Sequence, residues 1–250
     1  MKTFLSLFKK EVRSCFLSPI AFVVMFFFWI LTGGNFILLL YQLANGESLT
    51  MATQWIFGGP LISFSLPVIV PLITMRLFAE ERKLGTLEAL LTTPAKVHEL
   101  VLAKFCGALV FYMALWLPVF AYAYFQSGMN PSETLAFPDL GALRAGAFGV
   151  LLVGSFYISV GLFLSSLTSN QIVAAIAGFA ILFGAFLAGA YLAYTAPSAS
   201  WRTIGQFFSA SAHMMDFSRG VVDSRIVALY LSFTAWFLFV AVKAVETKRT

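Results

Sequence analysis

Six stretches of this 250-residue chain are each long and apolar enough to cross a bilayer: near Ile20–Leu43, Pro60–Leu77, Val101–Phe125, Leu143–Leu167, Ile172–Tyr194 and Ile226–Ala244. A spanning helix needs roughly 20 mainly apolar residues, since each advances about 1.5 Å through about 30 Å of hydrocarbon. That feature removes most folds from consideration. Mean hydropathy is +0.89 and 28 residues are Phe, far more apolar surface than one soluble core could hide; the surplus would drive aggregation in water. The runs also lack the ten-residue alternation of barrel strands. The expected fold class is an all-α polytopic membrane protein with six transmembrane helices.

Ahead of the first span lies MKTFLSLFKKEVRSCFLSP. It has no small-residue cleavage site, and Lys9, Lys10 and Arg13 interrupt its apolar run, so it does not read as a signal peptide. Phe4, Leu5, Phe8, Val12 and Phe16 recur at helical spacing, with Lys2, Lys9, Lys10 and Arg13 between them. This predicts an N-terminal amphipathic interfacial helix over residues 1–18. Pro19 then breaks the chain before the six-span unit of residues 19–250. A plain extension of the first span is the alternative.

Loop charge sets orientation. Lys2, Lys9, Lys10, Arg13, Arg76, Arg82, Lys83, Lys96, Lys104, Lys243, Lys248 and Arg249 fall on one side, twelve of the sixteen basic residues. Arg144, Arg202, Arg219 and Arg225 fall on the other. Both termini and the segment 76–100 are therefore expected in the cytoplasm, and residues 195–225 outside. The pI near 9.3 follows from this bias, and no soluble basic domain exists to hold a nucleic acid. Cys15 and Cys106 fall on the reducing side without metal-ligand spacing, so they read as small apolar residues.

The acidic residues lie outside the spans or at their ends, and Lys104 and Lys243 sit near enough to a boundary to snorkel. Ion-driven transporters keep an ionisable group at mid-membrane; none is expected here. The G-x-x-x-x-G-K-[ST] phosphate cradle is missing too, so the energy for any uphill transport must come from another chain. An intramembrane enzyme would need a nucleophile and a base at one depth. Ser155 and Ser159 lie in a span, but His98 and His213 lie in loops. His213, Met214 and Met215 could offer soft ligands to Cu(I); an amphipathic re-entrant or interfacial helix is the other reading of that stretch. Trp55, Trp201, Tyr122 and Tyr124 fall where interface anchors belong.

Pro60, Pro67 and Pro71 predict a kinked or broken second span. Gly141, Ala145 and Gly149, with Gly146 and Gly154, put small residues along the fourth span, as do Ala174, Gly178, Gly184 and Ala188 along the fifth. Gly149, Gly154 and Gly178 are candidate points of close helix approach. The short SSLTSNQ turn makes these two spans an antiparallel hairpin.

A compact charged stretch interrupts this apolar chain at RLFAEERKLGTLEALLTTP, residues 76–94. The second span should run on to Leu84, where Gly85 can take a left-handed C-cap conformation. Thr86 offers an N-cap to a short helix with Glu88 in its first turn, and Leu87, Leu90 and Leu91 share a face. Thr93 and Pro94 repeat the start signal for the next helix. The result is a helix–short helix–helix elbow, either a docking element or only a topogenic loop. The residues Arg76, Glu80, Glu81, Arg82, Gly85, Thr86, Glu88, Leu90, Leu91, Thr93 and Pro94 resemble the signature segment of ABC-2-type transporter permeases. The hairpin GLFLSSLTSNQIVAAIAG and the stretch HMMDFSRGVVDSR resemble the gliding-motility and nitrous-oxide-reductase-maturation branch.

The resemblance implies a type V exporter-like fold and a permease subunit with no ATPase site of its own. A separate ABC ATPase subunit would bind ATP and Mg, so this chain needs no cofactor and no metal. It implies a second permease chain, identical or not, and in some relatives a periplasmic or membrane accessory protein. The location implied is the bacterial cytoplasmic membrane. Glu80, Glu81, Arg82, Gly85, Thr86, Leu87, Glu88, Leu90, Leu91 and Pro94 would couple the spans to the ATPase. The output could be export, or a mechanical signal to an extracytoplasmic partner.

Overall fold

Pro19 divides the first two helices. Its ring has no N–H to donate, so it is best placed at a helix start, and α1 (Lys2–Leu17) gives way to α2 (Pro19–Ala44) across Ser18. The computed structural model describes residues 2–45, 50–91, 96–128 and 140–247, which are helical with no strand among them. The second span breaks where the first of its prolines falls: α3 (Thr50–Gly58) passes to α4 (Pro60–Thr74) across Gly59. Side chains cover the carbonyls at the break. Asn35 Nδ2 donates to the Trp55 carbonyl at 2.6 Å, and Ser63 Oγ to that of Gly58 at 3.2 Å. Pro67 and Pro71 stay inside α4, which continues through both.

The elbow follows as α5 (Ala79–Lys83) and α6 (Thr86–Leu91). The third span is α7 (Val97–Leu115) with α8 (Leu117–Gly128), the fourth α9 (Leu140–Leu167), the fifth α10 (Gln171–Thr195). Two short helices, α11 (Ala199–Phe208) and α12 (Ala210–Ser218), precede the sixth span, α13 (Ser224–Glu246). Among the described residues, six helical segments are long and apolar enough to cross a membrane.

These spans are not equivalent. The second, third and fourth are 67%, 61% and 67% buried within the chain, against 28%, 28% and 22% for the first, fifth and sixth. α4, α7 and α9 therefore form the centre, with α2, α10 and α13 presenting apolar faces outward. At the centre Trp116 packs edge-on to Phe28 and Tyr112, at ring separations of 5.5 and 6.2 Å.

Glycines of α9 set how closely the others approach. A Cβ on Gly154 would stand 2.1 Å from the Tyr112 ring of α7, and one on Gly149 would stand 2.6 Å from Phe217 of α12. On α10, a Cβ at Gly178 would meet Pro71 of α4 at 3.1 Å. Gly184 differs from its neighbours on the expected small-residue stripe: nothing in the chain lies within 4 Å of its Cβ position.

α12 packs on α9 and α3, and α11 on α10, so the stretch before the last span folds back against the spans. His213 is buried, its Nδ1 2.9 Å from the Tyr230 hydroxyl of α13. Desolvation lowers its pKa, against the opposing pull of Asp216, Asp223 and nearby backbone carbonyls. No cluster of three His, Cys, Asp or Glu side chains occurs among the described residues. Trp201 is exposed; Tyr122 is half-buried and stacks on Phe36 at 4.8 Å. Trp55 is half-buried as well, and Tyr124 is described only in its backbone.

Candidate functional site: the elbow and its clamps

α4 stops at Thr74, so the second span does not run unbroken to Leu84; a turn over 75–78 intervenes before α5. That turn would leave backbone donors unpaired inside the chain. Ser165, at the end of α9, supplies their partner. Its buried hydroxyl accepts from the amides of Phe78 and Ala79, both at 3.1 Å, and donates to the Met75 carbonyl at 3.0 Å. Arg82 Nη1 donates to the neighbouring Ser166 carbonyl at 2.9 Å. Arg76 reaches the other way, forking onto Glu80 through two 2.7 Å contacts and bonding Ser18 between α1 and α2.

Glu81 makes the deepest tie. Its Oε1 lies 2.9 Å from Lys104 Nζ and 3.3 Å from Lys10 Nζ, and Lys104 in turn contacts Glu11 at 3.1 Å. Lys104 is 1% exposed, so it does not snorkel to the boundary. It stays inside because two carboxylates and the face of Phe78, 5.2 Å away, replace its hydration. Glu11 also changes the reading of α1. The inward face of that helix centres on Glu11, whereas Leu5, placed on the apolar face by its spacing, is exposed. α1 lies close on α7 because Gly107 has no side chain; a Cβ there would stand 3.0 Å from that of Glu11.

Gly85 has φ of +70°, the left-handed turn its position predicts. Thr86 does not use its hydroxyl as an N-cap acceptor; it begins α6 and donates to the Glu81 carbonyl at 3.3 Å. Leu87 is buried in the core, so it does not belong to an outward leucine face. Of Leu90 and Leu91 only the backbone is described, and Thr93 and Pro94 lie outside the described residues. α7 starts at Val97, beyond Pro94, with Lys96 as N-cap and Glu99 Oε2 accepting its amide at 3.4 Å. Among the described residues, the elbow presents outward Lys83, Leu84, Gly85, Thr86 and Glu88, with Leu84 67% exposed.

The sequence reading missed Glu11, Lys104, Ser165 and Leu84. Lys104 carried a legible signal, a lone cation inside VLAKFCGALVF. Its partners, 93 residues before and 23 before, did not. The enzyme alternative gains no support here: Ser155 and Ser159 donate to carbonyls of their own helix at 2.6 and 2.7 Å, and His213 bonds Tyr230.

A six-span helical unit with a broken second span and a clamped elbow is one side of the comparison with known proteins. The other is a match to the ABC-2 family transporter protein over residues 40–244. The chain belongs to the ABC-2 transporter family. It is similar to the probable multidrug ABC transporter permease YbhR of Escherichia coli K12 and to its counterpart in strain O157:H7. Each is 25% identical over 171 residues, covering 67% of this chain and 44% of the relative. The chain thus matches less than half of those relatives' length.

Proposed function

We propose that this chain is the permease subunit of an ABC-2 exporter, driven by a separate ATPase that docks on the elbow. The single observation that carries this reading is the way the elbow is held. Ser165 and Ser166 tie it to α9, Arg76 ties it to the α1–α2 junction, and Glu81 ties it to α1 and α7 through Lys104. A push on α5–α6 would therefore move four elements together. A loop that served only to set topology would need none of these bonds. Lys83, Leu84, Thr86 and Glu88 remain outward as the contact, with Glu88 orienting basic groups of the ATPase by charge-assisted hydrogen bonds.

The finer parts of the proposal rest on loop charge and on the resemblance. Loop charge puts the elbow and both termini in the cytoplasm of a bacterial inner membrane. Two permease chains would pair with two ATPases. ATP-driven closure of the ATPases shifts the spans only by the differential energy it supplies to their two arrangements. The resemblance to gliding-motility and nitrous-oxide-maturation permeases rests on the α9–α10 hairpin and the α12 stretch. A mechanotransmitting subunit is the second reading. It is favoured by the exposed apolar row of α11, Trp201, Ile204, Phe207 and Phe208, which suits an extracytoplasmic partner.

The test is ATPase stimulation by the permease in a reconstituted complex. Glu88→Arg and Leu84→Ser are expected to lower stimulation at least tenfold with chain levels unchanged, while Arg225→Glu on the far side leaves it intact. Full stimulation by both elbow variants would mean that the elbow does not dock the ATPase.

A further inference from the structure

α1 does not lie apart from the spans. It runs beside α7 in the same direction, with Glu11 against Gly107 and Phe16 edge-on to Phe111 at 5.1 Å. Its charges have two fates. Glu11 turns inward to Lys104, and Lys10 is held by Glu11 and Glu81 at 3.7 and 3.3 Å. Lys9 and Arg13 stay outside. Both are exposed, and neither side chain has an ion-pair or hydrogen-bond partner among the described residues. Four residues apart, they stand on adjacent turns of one helix face, with about 5–6 Å between Cβ atoms. The exposed Ser14 lies beside them.

The same two cations border an open groove of about 470 Å³ between α1 and α7. Its wall is apolar: Phe8, Val12, Phe16, Leu17 and Val110. Leu17 is 64% exposed and Val110 42%, and Val110 belongs to the third span, Val97–Tyr122. The groove thus joins two surplus positive charges to a face that meets hydrocarbon. A cation beside hydrocarbon loses part of its hydration and needs an anion in its place. No carboxylate among the described residues supplies one to Lys9 or Arg13. A soluble acidic protein would reach the charges but not Val110 inside the bilayer. A phospholipid reaches both. Net charge then selects among phospholipids: an anionic head neutralises the pair, whereas a zwitterionic head brings a cation back among Lys9, Lys10 and Arg13.

We infer that Lys9, Arg13 and Ser14 bind an anionic phospholipid of the leaflet on the elbow side. Its phosphate sits on the two cations, and one acyl chain lies in the groove along Leu17 and Val110.

Native mass spectrometry of the delipidated full chain tests this with phosphatidylglycerol, phosphatidylethanolamine and phosphatidylcholine of identical acyl chains. Phosphatidylglycerol is expected to be retained at least fivefold over either zwitterionic lipid. Lys9→Gln with Arg13→Gln should reduce that preference below twofold. Arg219→Gln with Arg225→Gln removes the same charge from two other exposed positions and should leave the preference intact. Leu17→Gln keeps both cations but makes the groove wall polar, and should lower retention of phosphatidylglycerol at least twofold. Binding should also raise the thermal-unfolding midpoint when phosphatidylglycerol is added in detergent. That rise should persist in the Arg219→Gln, Arg225→Gln chain and vanish in the Lys9→Gln, Arg13→Gln chain. Equal retention of the three lipids, a preference that survives Lys9→Gln with Arg13→Gln, or an equal loss in the Arg219→Gln, Arg225→Gln chain would overturn the site and leave only the general attraction of a basic chain to anionic lipid. Unchanged retention by Leu17→Gln would overturn the placement of the acyl chain.

Discussion

Lys104 sits between two carboxylates that would otherwise repel each other in a medium poor in water. Removing its ammonium leaves Glu11 and Glu81 buried with only the half-exposed Lys10 nearby. Breaking a buried pair by removing one partner costs about 3–5 kcal/mol. Lys104→Met is therefore expected to lower the thermal-unfolding midpoint in detergent, and Lys104→Met with Glu11→Leu should recover part of the loss. The glycines make a second contrast at this scale. Gly154→Ala drives a methyl into the buried Tyr112 ring and should cost about 1–3 kcal/mol by overpacking. Gly184→Ala meets nothing in the chain and should be neutral or slightly stabilising, since Ala is the better helix former. Thermal unfolding of the two variants separates a packing glycine from one that merely shares its spacing.

Two elements depend on a local condition. The α5–α6 turn needs Gly85 in the left-handed region, where a side chain costs about 1–2 kcal/mol although the surrounding space is open. Gly85→Val should impair ATPase stimulation more than Gly85→Asn, because asparagine tolerates this conformation better. Equal effects of the two would remove backbone conformation as the cause. α12 depends on His213 staying neutral. Burial lowers the His213 pKa from its ordinary 6.5, so the folded helix holds the imidazole neutral to a lower pH than the unfolded segment does. The unfolded state then binds the extra proton first, and stability falls as pH drops below about 6.5. Protection factors of α12 amides, corrected for the intrinsic pH dependence of exchange, should be lower at about pH 5 than at about pH 7.5, and His213→Gln should flatten the difference.

Across the whole molecule, the separation of a buried centre from three outward-facing spans leaves α2, α10 and α13 to meet lipid or a second chain. Topology is the property to measure at this scale. With both native cysteines replaced, Ser198→Cys should react with an impermeant maleimide on intact cells, while Lys83→Cys and Thr247→Cys should react only after lysis. Labelling of Lys83→Cys from outside would invert the orientation and remove the elbow from the ATPase side.

Six spans, the Pro19 break, an interruption at one of the second span's three prolines and the left-handed Gly85 were all legible in the chain, because each rests on local physics. Span length follows from bilayer thickness, and proline and glycine act on their own backbone. The amphipathic pattern of α1 was legible too, but which face it buries was not. Glu11 turns inward only because Lys104 waits on α7, 93 residues away, and because Gly107 lets the two helices close. Likewise the charges of the elbow read as one outward cluster, yet Arg76, Glu81 and Arg82 are spent on Ser18, Lys104 and Ser166. A buried charge goes wherever a partner can replace its water, and partners are set by packing between distant segments. Sequence therefore determined the elements and where they break, while tertiary structure alone decided which charges hold the elbow and which are left exposed.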